Sequence, residues 1–398
     1  MTPRTLSQAE LLLLTLAGAV VTANAYYIHP IIARVAEDFG VSASTIGLVP
    51  ALNQVALSLG IFLLLPLGDR INNRRLVLIF VIAQFLALVL MAWSGQFIMF
   101  LIGSTVLGFV TIAPYLLPAY VSKRVDPAHL GHVTATLTTG VILGILLARA
   151  GAGMIGEYLG WRTVYYIAAG LMLVIALVIP LIMDAEEPEP VRQDQMGYFA
   201  LLGSMGPMLR VYPQILLSGS IQALNFGIFL TVWLGLGLHL TSPEMGYGVD
   251  VVGYLAIFSI INLATTPRMG RLADSLGPRR ARVYFAAIQF LGVCLFYFFG
   301  HSLWLLMIPI VITNLVGPII DVSGRMTFLN QAPAIRTRLM TVYIVLMFLG
   351  GGLCSWAGTT AYEWGGWSAT AVLSMALSTL VVALSFISFR WGQSPAPG

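Results

Sequence analysis

An arginine inside a long apolar stretch is the first residue whose type and position suggest chemistry. Arg149 lies in "GILLARAGAG", residues 144–153, with no acidic residue within seven positions on either side. Burying an unpaired guanidinium is costly, so a role is expected. Three interpretations are open. Arg149 contacts an anionic or hydroxyl-rich substrate, it is a gate residue held by carbonyls or Tyr rings, or it extends outward to water as a packing residue.

Polar side chains at a similar depth in other apolar stretches are candidates for the same site. Arg149 lies about eight residues from one end of its stretch, or about 12 Å deep at about 1.5 Å per helical residue. Residues at this depth or slightly deeper would form a polar layer with Arg149 that contacts a substrate. They are Asn24, Tyr27, Asn53, Gln54, Gln222, Asn225, Asn262 and Asn314, with Tyr26 and Ser259 beside them.

A proton-carrying group would have to come from a small set of titratable residues. His29, in "YYIHPII", titrates in the physiological range, although a lone histidine is commonly a hydrogen-bonded structural residue. Asp321 lies four residues before Arg325, so an (i, i+4) ion pair is its simpler interpretation. Glu363 and Asp250 complete the set. His29 and Asp321 are therefore the proton-coupling candidates, with a structural role open for both.

The elements that must position these residues are membrane-spanning helices. The chain has 398 residues, of which 58% are hydrophobic and 9% charged, whereas soluble domains carry about 25% charged residues. The apolar runs are long and do not alternate in polarity, which favours helices over a β-barrel. We predict twelve spans, at 10–33, 44–68, 76–93, 97–120, 131–156, 163–183, 210–238, 250–268, 280–299, 302–325, 338–362 and 367–389.

The distribution of Lys and Arg predicts the orientation of the chain. With the N-terminus in the cytoplasm, 17 of the 20 Lys and Arg residues fall on the inner side, Arg34 and Arg162 fall outside, and Arg149 remains in the membrane. Positive residues concentrate in cytoplasmic loops. We therefore expect both termini in the cytoplasm, and the bacterial inner membrane as the location.

The two halves of the sequence repeat each other. The segment "LPLGDRINNRR" follows the second span and "GRLADSLGPRR" follows the eighth, which places Asp69 and Asp274 205 residues apart. Two parallel six-helix halves are a transporter architecture. We predict halves at 1–183 and 210–398, joined by a cytoplasmic linker at 184–209 that begins with the acidic "DAEEPEPVRQDQMG".

These loop segments resemble the signature G-x-x-x-D-R-x-G-R-R of the major facilitator superfamily, and the resemblance covers nearly the whole chain. Ser275 replaces the first arginine of the second copy, and Leu65 and Asn72 stand where the first copy should have glycine. In the family the loop latches one conformation, which implies the same role here; the alternative is that the arginines only set topology. The residues implied are Asp69, Arg70, Arg74, Arg75, Gly270, Asp274, Gly277, Arg279 and Arg280.

A closer local resemblance is to the bacterial drug-efflux-like branch of that superfamily. This branch combines N-x-Y-Y-x-x-P in span 1, LGDR after span 2 and an arginine in span 5, and here these are Asn24 to Pro30, Leu67 to Arg70, and Arg149. In the family's fold, spans 1, 2, 5, 7, 8 and 10 face a central cavity. The resemblance therefore implies that Arg149 and the polar layer face that cavity.

Small residues recur at every fourth position of span 5, which allows a neighbouring helix to approach closely. Tight packing alone explains such a stripe; the further expectation is that the two halves pivot along it. The family's antiporter motif matches this region only in outline, because Ile145 replaces its proline. The stripe is Gly140, Gly144, Ala148, Ala152 and Gly156, and span 11 repeats it with Gly350, Cys354 and Gly358.

These patterns predict an all-α membrane protein of twelve helices in two pseudo-symmetric halves. We expect a monomeric secondary carrier that exports small amphipathic compounds by proton-coupled alternating access. An organic-anion exchanger, uniporter or importer that uses Arg149 stays open, as does a transport-inactive sensor or scaffold.

Enzymatic activity is not expected from this sequence. Its one lysine, Lys123, is not in a Walker A loop, and neither H-E-x-x-H nor G-x-S-x-G occurs. No metal, cofactor or nucleic acid is expected. The expected partners are a small-molecule substrate, protons or another coupling ion, and the lipid bilayer.

Overall fold

Long apolar helices dominate the computed structural model, which describes residues 6–122, 124–126, 129–184, 197–260, 272, 275–328 and 333–391. In the first half, six spans follow one another with short connections. Spans 1 and 4 are each divided into two helices. The bounds are Gln8–Ala23 with Ile28–Phe39 (span 1), Ala43–Leu64 (2), Asn73–Ala92 (3), Phe97–Val110 with Ala113–Ser122 (4), Leu130–Tyr158 (5) and Trp161–Ile182 (6).

The second half repeats this order after a linker helix at Tyr198–Val211. Spans 11 and 12 form one long helical element, Pro333–Trp391, which is interrupted by non-helical backbone at Gly365 and Gly366. The predicted fold class is confirmed by this arrangement. The other bounds are Pro213–Leu240 (span 7), Val249–Ile257 with a 3₁₀ turn at Phe258–Ile260 (8), Pro278–Phe299 (9) and Leu303–Met326 (10).

Positive-φ glycines mark equivalent corners of the two halves. Gly160 precedes span 6 with φ 85°, and Gly366 precedes span 12 with φ 61°. Such backbone is accessible to glycine without the steric penalty that a Cβ brings. Both glycines are followed by a buried tryptophan, Trp161 or Trp367. The repeat seen in the sequence is therefore present in the backbone as well.

The break in span 1 has a local cause. Pro30 lacks an N–H group, so it cannot bond to the carbonyl of Tyr26, and its ring crowds that carbonyl. The chain forms a turn between Ala23 and Ile28, and the second helix of the span starts there. Tyr26 and Tyr27 lie on this turn and are both buried. The break thus places two phenol side chains at mid-membrane depth.

The described part of the linker contains a helix that was not predicted from the sequence. Its helix Tyr198–Val211 buries Met205 and Met208 against residues of spans 7 and 11 and against Phe328. The Tyr198 hydroxyl donates to the carbonyl of Leu63 in span 2. Span 7 begins at Pro213, three residues after the predicted start near residue 210, because residues 210 and 211 belong to the linker helix. The linker helix contacts both halves.

Glycines set the closest approaches between the two halves. A Cβ on Gly47 of span 2 would lie 1.8 Å from the Thr359 hydroxyl oxygen of span 11. A Cβ on Gly153 of span 5 would lie 2.8 Å from the Val249 carbonyl oxygen of span 8. These contacts are at the outer end of the spans, meaning the end that the Lys and Arg distribution predicts to be extracytoplasmic. The halves are thus tightly packed at that end.

Candidate functional site

Arg149 lies at the junction between the two halves, enclosed by aromatic rings. Its guanidinium carbon is 5.4 Å from the ring centroid of Tyr26 in span 1. It is 4.6 Å from that of Phe229 and 4.5 Å from that of Trp233, both in span 7. The side chain is 1% exposed, so the interpretation that it extends outward to water is wrong. Cation–π attraction offsets part of its desolvation cost.

The guanidinium is not fully hydrogen-bonded. Neither Nε nor Nη2 of Arg149 has a hydrogen-bond partner among the residues that the structure describes. Buried N–H groups without partners are uncommon and costly in native proteins. Arg149 therefore combines a charge stabilised by ring faces with two donors that remain available for an acceptor.

His29 adjoins the same cluster. Its ring lies edge-on to Tyr26 with centroids 5.3 Å apart, so Tyr26 contacts both His29 and Arg149. The His29 side chain is 0% exposed, and neither ring nitrogen has a partner within the described ranges. His29 therefore lacks, among the described residues, the hydrogen bonds that a structural histidine was expected to form. A titratable ring, a phenol and a guanidinium form one contiguous group.

The amides of Asn24 and Asn225 are held inside their own halves. Asn24 donates to Gln84 of span 3 at 2.8 Å, and Gln289 of span 9 donates to Asn225 at 2.7 Å. Asn225 also donates to the carbonyl of Gly317 at 3.0 Å. In each half an Asn of the first helix thus pairs with a Gln of the third. The geometry favours a packing role for both, in place of the predicted substrate contact.

The other predicted polar residues divide between packing positions and the junction. Asn53 donates to the Ser104 carbonyl of span 4 at 2.8 Å, inside the first half. Gln222 contacts Met347 of span 11 at 3.4 Å. Gln54 is buried beside Gly352 of span 11, and its amide atoms have no partner in the described chain. Tyr27 and Asn314 are buried, and Asn262 lies outside the described residues.

Asp321 forms the expected ion pair with Arg325. The Nε and Nη2 atoms of Arg325 donate to the two carboxylate oxygens at 2.9 and 2.7 Å. The Tyr343 hydroxyl donates to one of the same oxygens at 2.8 Å. With three donors on one carboxylate, the pair is held rigidly within the second half.

Two carboxylates close the outer end across the junction. Glu157, at the end of span 5, accepts from the backbone N–H of Val249 at the start of span 8, at 2.9 Å. Glu363, at the end of span 11, accepts from the N–H of Ser44 at the start of span 2, at 2.6 Å. Arg34 also bonds to Glu157, at 3.1 Å. These two contacts, which we call the outer clasps, are related by the internal repeat.

The predicted cytoplasmic latch is described only in part. Gly270 and Asp274 lie outside the described residues, and so does the side chain of Asp69. Asn72 has φ −52°, and its amide oxygen caps span 3 at the N–H of Arg75, at 3.2 Å. Gly277 has φ 81°, and Arg279 donates to Gln214 of span 7 at 3.2 Å. Arg70 is exposed, and Arg280 lies 5.9 Å from the ring of Phe389.

The small-residue stripes pack mostly inside each half. Cβ atoms on Gly140 and Gly144 would meet Thr15 and Ala19 of span 1. One on Gly156 would meet Ile31 at 2.5 Å and, at 3.6 Å, Val249 of span 8. In span 11, Gly350 and Gly358 lie against Ala223 and Thr231 of span 7 in the same way. The expectation that the halves pivot along these stripes is therefore corrected. Closer glycine contacts between the halves, among the described residues, come from Gly47, Gly153, Gly237, Gly248, Gly253 and Gly352.

Several residues of the site were missed at the sequence level. Phe229 and Trp233 are four residues apart, so they lie on one face of span 7, and this spacing was an available signal. Gln84 and Gln289 are each a polar residue in an apolar span, 205 positions apart like the loop aspartates. Glu157 gave no comparable signal, since it lies at a helix end where a charged residue is ordinary.

The sequence matches the model of the Major Facilitator Superfamily over residues 14–320. It is 27% identical to the uncharacterized transporter YgaY of Escherichia coli O157:H7 over 380 residues, 95% of each chain. It is 26% identical to the multidrug resistance protein MdtG of Serratia proteamaculans over 236 residues, 56% of this chain and 54% of that one.

Solved structures share the fold. A bacterial homologue of the human lysosomal transporter Spinster, in an inward-facing and unoccupied conformation, superposes with a TM-score of 0.78 over 98% of both chains, at 15% identity.

Proposed function

The chain belongs to the Major Facilitator Superfamily of membrane transporters, and we propose that it exports small amphipathic compounds by proton-coupled alternating access. It is a multi-pass membrane carrier and not an enzyme, as expected. The observation that carries the proposal is the position of Arg149, which lies between rings of span 1 and span 7 at the junction of the halves. A carrier must bind its substrate where both halves can contact it.

The conformation supports alternating access. The outer clasps and the close glycine contacts close the outer end of the junction. At the other end of span 5, the hydroxyl-bearing Thr134, Thr138 and Thr139 are exposed, as expected for a wet inner opening. Outward opening would have to break the clasps. We propose that the cytoplasmic loops then latch the halves, with residues 1–183 and 210–398 moving as two units.

The coupling part of the proposal rests on His29. The His29 imidazole contacts Tyr26, and Tyr26 in turn contacts Arg149. Because one side chain separates the two groups, a proton on His29 would change the binding of a substrate at Arg149. We propose His29 in preference to Asp321, because the Asp321 carboxylate is already engaged by Arg325 and by the Tyr343 hydroxyl inside the second half. The resemblance of part of the chain to a multidrug resistance protein supports the exporting direction.

We further propose the bacterial inner membrane as the location, with both termini in the cytoplasm. The excess of Lys and Arg in alternate loops supports this orientation.

Everted membrane vesicles with an acid interior and a pH-sensitive dye test the function. We expect one class among cationic, neutral and anionic amphipathic compounds to release protons from vesicles that contain the wild-type protein. Vesicles with Arg149→Ala or His29→Gln should lack the release, while Arg390→Ala, a change at an exposed arginine, should retain it. Transport of labelled compounds without proton movement would refute the coupling, and the absence of any transport would refute the export function.

A further inference from the structure

The two free donors of Arg149 have a definite geometry. The atoms without partners in the described chain are Nε and Nη2, which lie on the same edge of the planar guanidinium and point in nearly parallel directions. Residues 261–271, which follow the described part of span 8 in the sequence and lie outside the described residues, contain no Asp or Glu. No carboxylate of that segment can therefore be the acceptor.

Arg325 shows which group the Nε and Nη2 edge of a guanidinium binds in this protein. In that residue the same two atoms, Nε and Nη2, donate to the two oxygens of the Asp321 carboxylate at 2.9 and 2.7 Å. Such bidentate pairs match two parallel N–H groups to two coplanar oxygens, and they are among the strong hydrogen bonds of proteins. Arg149 presents this edge in a fully buried environment, where a charge-assisted bond is stronger than in water.

The surroundings of Arg149 add a second requirement for its ligand. The rings of Tyr26, Phe229 and Trp233 lie within 5.4 Å of the guanidinium carbon. Ring faces favour contact with flat or apolar groups, and they offer no full negative charge that could recognise a cationic ligand. A ligand with a negative head and an apolar body satisfies both the donors and the rings.

We propose that Arg149 binds the carboxylate of an amphipathic organic anion through Nε and Nη2, with the apolar body of the ligand against Phe229 and Trp233. This inference rests on the proposed function and names its substrate class. The rings of span 7 belong to the second half and Arg149 to the first. A ligand bound in this way contacts both halves, so its binding is coupled to their relative position.

Titration calorimetry on the purified full-length protein, with matched pairs of compounds at neutral pH, tests the proposal. The pairs are 2-naphthoate with 2-naphthamide, and octanoate with octanamide, and 2-naphthyltrimethylammonium is the cationic probe. In at least one pair the carboxylate should bind roughly tenfold or more tightly than its amide, because two charge-assisted bonds are lost in the amide. The cation should bind more weakly than the naphthoate.

Two variants separate recognition from charge and folding. Arg149→Lys keeps the positive charge but cannot present two parallel donors, and we expect it to lose roughly tenfold or more of the carboxylate affinity. Arg149→Met fills the same space without charge and should abolish the preference for carboxylate over amide. Arg390→Lys is the matched control at an exposed position and should bind as the wild type does.

Two results would overturn the proposal. If no carboxylate of the panel binds more tightly than its amide, or if Arg149→Lys binds carboxylates as the wild type does, the inference is wrong. Uptake of the same probes into proteoliposomes distinguishes this failure from failure of the proposed function. Transport of the amide or the cation would leave the carrier function intact with another substrate class, whereas absence of all transport would remove it.

Discussion

Arg325 and Arg149 are both arginines inside apolar spans, but their surroundings differ. Arg325 is bound on its Nε and Nη2 edge by Asp321, one turn earlier in the same helix. Arg149 has ring faces around it and no partner on that edge among the described residues. The first arrangement is satisfied within one half of the protein. The second lies where the two halves meet, and the donors of its Nε and Nη2 edge are not used by the described residues.

The difference indicates how a buried charge can be assigned a role. A paired charge costs little in the folded state and much when one partner is removed. A charge with free donors costs stability in the folded state, so its presence is better explained by binding than by folding. The comparison therefore predicts opposite effects on stability when the two arginines are replaced by the same residue.

The largest expected change in stability comes from replacing Arg325, the paired arginine. Arg325→Met leaves the half-buried Asp321 carboxylate without its cation, and we expect it to lower the free energy of unfolding by about 2 kcal/mol. Thermal unfolding of the purified protein in detergent measures this change. The double variant Asp321→Leu with Arg325→Met should recover most of the loss. An unchanged melting temperature in the single variant would mean that the pair contributes nothing.

The outer clasps extend the comparison to charges that pair across the halves. A backbone bond to an ionised carboxylate contributes about 2 kcal/mol, and a neutral amide acceptor about half of that. Glu157→Gln with Glu363→Gln keeps a carbonyl acceptor but removes both charges, so it should raise the outward-open population by up to about 30-fold. A cysteine at Val249, which is 0% exposed against Gly156, should then react faster with a membrane-impermeant thiol reagent. The measurement uses a parent variant in which Cys294 and Cys354 are replaced, so that only the introduced cysteine can react.

The matched control for the clasps is Asp38→Asn. Asp38 is also an outer carboxylate, but it pairs with Arg162 inside the first half, at 2.6 Å. This variant should leave the labelling rate unchanged. Equal rates in the clasp variant and in the control would contradict a gating role for Glu157 and Glu363.

The smallest expected change in stability comes from replacing Arg149, and here the variant should be more stable than the wild type. Arg149→Met removes a buried charge and two unpaired donors, and we expect it to raise the free energy of unfolding by about 1 kcal/mol. The same thermal measurement without added ligand tests this. A destabilised variant would show that the aromatic contacts of Arg149 serve the fold, which would weaken the case for a binding role.

Much of the fold was predictable because it depends on local properties. Mean polarity over about 20 residues determines whether a segment crosses a membrane, and it located the spans that the structure describes, apart from shifts at their ends. The break in span 1 is also local, since Pro30 carries its cause in its own ring. The linker helix Tyr198–Val211 was missed because its apolar face is short and is buried against residues far away in the sequence.

The site was predictable in part. Arg149, His29 and Tyr26 were identified by type and depth, and they do lie together. Asn24 and Asn225 were assigned to the same layer, although each bonds to a Gln of its own half. Depth along a helix gives the level of a residue in the membrane, but it does not give the direction in which the side chain points relative to distant helices.

The sequence alone determined the helices, their repeat and the presence of a charge in the membrane, because these follow from the residues of each segment. Only the tertiary structure decided the neighbours of that charge. Arg149 and Phe229 are 80 positions apart, and their contact depends on the packing angle and rotation of spans 5 and 7. Those are set by interdigitation of side chains from many helices at once, which no single segment encodes.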